Sequence, residues 1–206
     1  MNISVKEWNA NKRWNPFNSY KLLAQVERWK HIKRGNPVPA PALITVDPAN
    51  YCNHNCLWCN AEEVRRKRKG MLSERVLSNL ADYLPNWGKG QSWRPGVESV
   101  CVAGGGEPLS NRATSLFIDK AVKNGVDIGV VTNGTFIDRH REALAKSVWV
   151  GVSVDAATKA LYNKLKNIRS GGNDFDRVIT NIHDLVEYSR QHKTMLGMNR
   201  PGYGVS

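Results

Sequence analysis

The chain has 206 residues, 41% of them hydrophobic and 23% charged, enough apolar content for one domain with a buried core and too well mixed for global disorder. No run approaches the ~18 consecutive apolar residues of a membrane-spanning helix, and residues 1–14 lack the apolar core of a secretory signal, so a soluble, cytoplasmic protein with no membrane contact is expected. The formal net charge is +12, and a basic surface draws nucleic acid, phosphates or acidic peptides.

Residues 1–40 read as an N-terminal helical extension. Trp8, Trp14 and Phe17 lie in polar surroundings, and helical spacing follows over 19–33, where Leu22, Leu23, Val26, Trp29 and Ile32 line one stripe. Gly35-Asn36-Pro37 stops that helix. The segment is also basic, through Lys6, Lys12, Arg13, Lys21, Arg28, Lys30, Lys33 and Arg34. It either lids a pocket or braces the sheet, and an apolar stripe at helical spacing favours bracing.

Over 41–206 strand and helix alternate. Residues 42–46 suit a short buried parallel strand. Ser73 is placed to cap a helix to Leu84, with Val76, Leu77 and Leu80 on one face. A strand over 97–103 ends in Gly104-Gly105-Gly106-Glu107-Pro108, and a helix over 111–123 runs to Gly125. A third strand over 126–132 ends at Asn133-Gly134, and a helix over 138–146 leads to a fourth strand over 148–154. Helices over 157–165 and 174–192 follow, and 194–198 reads as the start of a fifth strand. Repeated strand, crossover helix and strand imply an α/β fold with right-handed crossovers. It is an open sheet or a partial parallel (βα) barrel of about four to five units, with the loops after the strands gathered on one edge.

Cys52, Cys56 and Cys59 form C-x3-C-x2-C directly after the first strand. In a cytosolic chain such a cluster reads as a metal or redox site, not a disulfide framework. Three thiolates on one loop converge on one inorganic centre, and a cubane held by three leaves one iron open. Cys101, inside an apolar strand, reads as core. The competing class is a zinc-bound interaction module with His54 as fourth ligand, which requires the imidazole to fold inward between the first two cysteines. The glycine loop lets backbone approach a ligand, and Glu107 offers a carboxylate to an ammonium. Its plainer reading is a turn with a solvent-facing Glu. The run Arg65-Arg66-Lys67-Arg68-Lys69 has no interleaved aromatics on which bases would stack, so it reads first as a solvated face and second as a contact for an anionic substrate or nucleic acid.

Cys52, Cys56 and Cys59, with aromatic Trp58 before the third, resemble the signature of the radical SAM (S-adenosylmethionine) superfamily. The resemblance implies a [4Fe–4S] cluster on the three cysteines, S-adenosylmethionine chelated to the open iron, and Trp58 near its adenine. It implies that Gly105, Gly106 and Glu107 meet the methionine ammonium. Residues 130–135 resemble the family's "TNG" turn, with Thr132 and Asn133 as weaker matches. Ser153 and Asp155 are placed where similar proteins hold the ribose and carboxylate. On an extended strand end the two share a face, and the plainer role of Asp155 is to cap the next helix. The likeness covers residues 42–192. The implied activity is reductive cleavage of S-adenosylmethionine to a 5′-deoxyadenosyl radical that takes hydrogen from an unidentified substrate, with an external electron donor. The second reading is an iron–sulfur protein whose short barrel does not turn over.

Overall fold

The computed structural model describes residues 25–67, 70–168 and 172–195. Trp8, Trp14, Phe17, Leu22, Leu23, the basic residues before position 25, Arg68, Lys69 and positions from 196 onward therefore lie outside the described residues, as do the side chains of Arg65 and Arg66.

Strands β1 (Leu43–Val46), β2 (Ser99–Val102), β3 (Asp127–Thr132) and β4 (Trp149–Val152) form one parallel sheet in sequence order. The helices are α1 (Val26–Lys33), α2 (Glu62–Lys67), α3 (Glu74–Tyr83), α4 (Thr114–Lys123), α5 (Ile137–Leu144), α6 (Lys159–Leu165) and α7 (Asp174–Met195). Parallel pairing demands a crossover between neighbours, and α2 with α3, then α4, then α5 supply the three crossovers. The sheet is open among the described residues, as the alternating pattern implies for a partial barrel.

The register sets Ile44, Val100, Ile128, Val130 and Val150 on one face of the sheet. There they join Leu77, Leu84, Phe117, Ile118 and Leu144 in the hydrophobic core under the helices. Successive side chains alternate between faces, so Cys101, between Val100 and Val102, points to the opposite face and is half-buried. Its expected place in the core is corrected by that alternation.

Three further expectations shift. Strand β4 stops at Val152, where the amide of Val154 turns back to the Val152 carbonyl at 3.0 Å. Asp155 lies in the left-handed region, at φ +59°, so Ser153 and Asp155 do not share an extended face. Thr158, not Asp155, caps the next helix, its hydroxyl accepting from the Leu161 amide. Helix α7 runs through Met195, so no strand starts at Thr194. The run there fits either period, and α7, already propagating, takes in its first two residues, while 196–198 lie outside the described residues.

The N-terminal helix braces the sheet through a different side than its apolar stripe. Val26, Trp29 and Ile32 are exposed, whereas Arg28 is buried. Its guanidinium donates to the Ala40 carbonyl and to Glu98 Oε1 at 3.2 Å, with Nε on Gln25 Oε1 at 2.8 Å. Trp93 packs 5.8 Å from it, and Arg94 also pairs with Glu98. Glu98 directly precedes β2, so α1 is moored at the edge opposite the strand C-termini. Removing one partner of a buried ion pair costs about 3–5 kcal/mol. Glu98 keeps Arg94 and Gln25, so Arg28→Ala is expected near the lower figure, read as a reduced urea midpoint.

Candidate functional site

The cysteine loop leaves the C-terminal end of β1 and is pinned by backbone hydrogen bonds. At its entry, the Asn50 amide donates to the Gly70 carbonyl at 2.8 Å and the Leu72 amide to Pro48 at 3.0 Å. Within it, the Cys59 amide donates to the Cys56 carbonyl at 3.1 Å. On either side of Cys56, the amides of Asn55 and Leu57 donate to the carbonyls of Lys166 and Leu165 at 3.2 and 3.1 Å. Those carbonyls end α6, where a helix has no partners of its own. None of the three cysteines is in a disulfide, and all are half-buried.

The glycine loop after β2 docks on the same segment. The Gly105 amide donates to Asp47 Oδ2 at 2.9 Å, and the Glu107 amide to the Tyr51 carbonyl at 2.7 Å. A β-carbon on Gly106 would stand 2.0 Å from the Ala49 carbonyl oxygen and 2.5 Å from that of Tyr51. The absence of a side chain is what lets the two backbones meet.

Glu107 is not solvent-facing: it is 2% exposed. Oε1 accepts from the Leu109 amide at 3.0 Å and from Thr132 Oγ1 at 2.6 Å, and Oε2 from the Asn133 amide at 2.7 Å. It thus staples the end of β2 to the end of β3. Burial pushes its carboxyl above the ordinary carboxylate range, with the donors from Asn133, Thr132 and Leu109 opposing.

The turn after β3 carries the connection on to the cysteines. Asn133 Nδ2 donates to Asn53 Oδ1 at 2.9 Å and lies 3.8 Å from Cys52 Sγ. Asn53 Nδ2 in turn donates to Thr135 Oγ1 at 3.0 Å. Thr132 and Asn133, weaker matches in sequence, are therefore central here. Asn53 carried no sequence signal beyond its place between two cysteines.

Trp58 is 52% exposed. Its ring lies 5.7 Å from Lys166 Nζ, which is ion-paired with Asp155 and 5.8 Å from the ring of Tyr162. Burial pushes the Cys56 thiol up, and the nearby Lys166 charge pulls it back. Ser153 continues the ladder by one bond, its amide donating to the Thr132 carbonyl at 2.9 Å. His54 is buried edge-on to Tyr162, with Nε2 3.1 Å from Asp174 Oδ2. Burial lowers its pKa, with Asp174 opposing. The imidazole thus braces the loop against the start of α7. Among the described residues no three His, Cys, Asp or Glu side chains are gathered to hold a single metal ion.

The Radical SAM superfamily matches residues 46–203, from the last residue of β1 onward. The chain belongs to that superfamily. Radical SAM proteins use a [4Fe–4S] cluster and S-adenosylmethionine. Three cysteines outside any disulfide on one loop, with a glycine loop docked beside them, fit that pair. Fe-coproporphyrin III synthase of Methanosarcina barkeri is 27% identical over 139 residues, which is 66% of this chain and 32% of that protein. Streptococcus suis SuiB bound to S-adenosylmethionine superposes with a TM-score of 0.55 at 20% identity, over 86% of this chain and 38% of SuiB. SuiB bound to its precursor peptide SuiA gives 0.54 at 19% identity, over 89% and 40%. These structural likenesses are of fold. The radical SAM chain described here spans about a third of the synthase and about two fifths of SuiB.

Proposed function

We propose that Cys52, Cys56 and Cys59 hold a [4Fe–4S] cluster and that the chain uses it to cleave S-adenosylmethionine reductively, acting on a substrate still to be identified. The observation that carries this is the convergence of the glycine loop, the turn after β3 and the end of α6 on one loop bearing three cysteines outside any disulfide. A cluster held by Cys52, Cys56 and Cys59 would supply the one-electron reduction of the sulfonium, by which methionine would leave and a 5′-deoxyadenosyl radical would be freed to take a hydrogen atom from the substrate.

The chain's own residues position and exclude. Trp58 presents a half-exposed flat face for the adenine. Gly105 and Gly106 bring backbone to the methionine ammonium, while Glu107 holds that backbone in place from behind. Ser153 and Asp155, past the end of β4, stand toward the ribose and carboxylate. The electron comes from an external donor. The basic run begins within α2, six residues after Cys59, which favours an anionic substrate; nucleic acid is the other polyanion it would meet. Neutralising Arg65 to Lys69 is expected to weaken polyanion binding and flatten its salt dependence. Among the described residues no helix is long and apolar enough to cross a membrane, and four cysteines with no disulfide among them suit the reducing cytoplasm.

The test is anaerobic reconstitution with iron and sulfide, then low-temperature EPR of the reduced protein with and without S-adenosylmethionine. A [4Fe–4S] signal that changes shape on addition is expected. A signal indifferent to S-adenosylmethionine would leave an iron–sulfur protein without turnover. Bound zinc without sulfide would sink the cluster assignment.

A further inference from the structure

Lys166 is a cation where none is cheap to keep. Its side chain is 3% exposed, and a buried ammonium is tolerated only when paired and enclosed. Both ends of the residue grip the cysteine loop. Its carbonyl takes the Asn55 amide, and its ammonium is walled by the rings of Trp58, next to Cys59, and Tyr162. Its counter-ion, Asp155, is the more exposed partner at 39% and sits on left-handed backbone. The loop after β4 is thus bent to bring a carboxylate to this one ammonium.

We propose that Lys166 is a positioning residue that sets the reduction potential of the metal centre on the cysteine loop, with Asp155 moderating its charge. The inference rests on the cluster reading above. Reduction adds one negative charge to a centre already ligated by three thiolates. A fixed positive charge beside that loop stabilises the reduced form and raises the potential. The attached carboxylate opposes it. The two side chains therefore act with opposite signs, which packing alone would not produce.

The experiment is an EPR-monitored redox titration of the reconstituted full chain without S-adenosylmethionine, with iron and sulfide measured for each variant. Lys166→Met is expected to lower the reduced-to-oxidised ratio at fixed potential about tenfold, which is about 59 mV for a one-electron couple. Lys166→Arg, which keeps the charge, should stay near the parent, and Asp155→Asn should shift the other way. If Lys166→Met takes up no cluster, Asp155→Asn decides alone through its upward shift. Loaded variants with the parent potential, or Lys166→Met and Asp155→Asn shifting together, would overturn the inference and leave the cluster reading intact. A parent chain that binds no iron and sulfide would overturn both.

Discussion

Gly106→Ala will leave the sheet folded but strip the cysteine loop of most of its capacity for iron and sulfide. The added β-carbon would stand 2.0 Å from the Ala49 carbonyl oxygen and 2.5 Å from that of Tyr51. Both are backbone atoms, so no rotamer change relieves the overlap. The loop must retreat, and retreat breaks the 2.7 Å bond from the Glu107 amide to Tyr51 that joins the two loops. Overpacking a tight site costs about 1–3 kcal/mol, occasionally more, and a clash with two carbonyls belongs at the upper end. Gly105 is the internal control. Its nearest neighbour to a new β-carbon is Ala61 Cβ at 3.3 Å, a side-chain contact that a small shift relieves. Iron and sulfide per chain after reconstitution should fall several-fold in Gly106→Ala and stay near the parent in Gly105→Ala, with far-ultraviolet dichroism unchanged in both. Equal loading in the two variants would show that the junction of the loops does not shape the cluster site.

The contrast between the two glycines marks where sequence stops being legible. C-x3-C-x2-C and the glycine run announce themselves because each needs only neighbours in the chain. The parallel sheet is equally visible, since apolar runs alternating with helical stripes leave few other topologies. What decides the site's geometry is long-range. Asn53 meets Asn133 across 80 residues, and His54 meets Asp174 across 120. Lys166 looks like any lysine near the end of a helix until the fold buries it behind Trp58. Cys101 was placed in the core because a continuous apolar run hides which face each residue takes. Asp155 was placed on a strand because nothing local announces that the chain turns after Val152. Arg28 shows the same limit in reverse: the apolar stripe of α1 was evident, yet the helix is held by its one buried guanidinium.

Glu107→Gln is expected to cost about 3 kcal/mol, because a buried donor left without an acceptor costs about 1–3 kcal/mol and this one is also set against another donor. The carboxyl takes three donors, and two of them, the amides of Leu109 and Asn133, reach different oxygens. An amide has a single oxygen. In one orientation its nitrogen faces the Asn133 amide, and flipped it faces that of Leu109, so one backbone donor is opposed by another either way. A protonated carboxyl escapes this. With its proton shared toward Thr132 Oγ1 at 2.6 Å, it still accepts both amides. That is consistent with burial holding the Glu107 carboxyl above its ordinary value of 4.5. The sign of the pH dependence follows from linkage. Between the unfolded and the raised folded pKa the native chain binds more protons, so stability falls as pH rises through that window. The contribution is fully present below the unfolded value and lost as pH passes the folded one. Glutamine does not titrate, so the stability gap between the parent and Glu107→Gln should be widest in acid and narrow as pH climbs. Urea midpoints of the two proteins across pH measure that gap directly. A gap that widens with pH would mean that the staple between β2 and β3 works best as a fully ionised carboxylate, with its three donors outweighing the cost of burial.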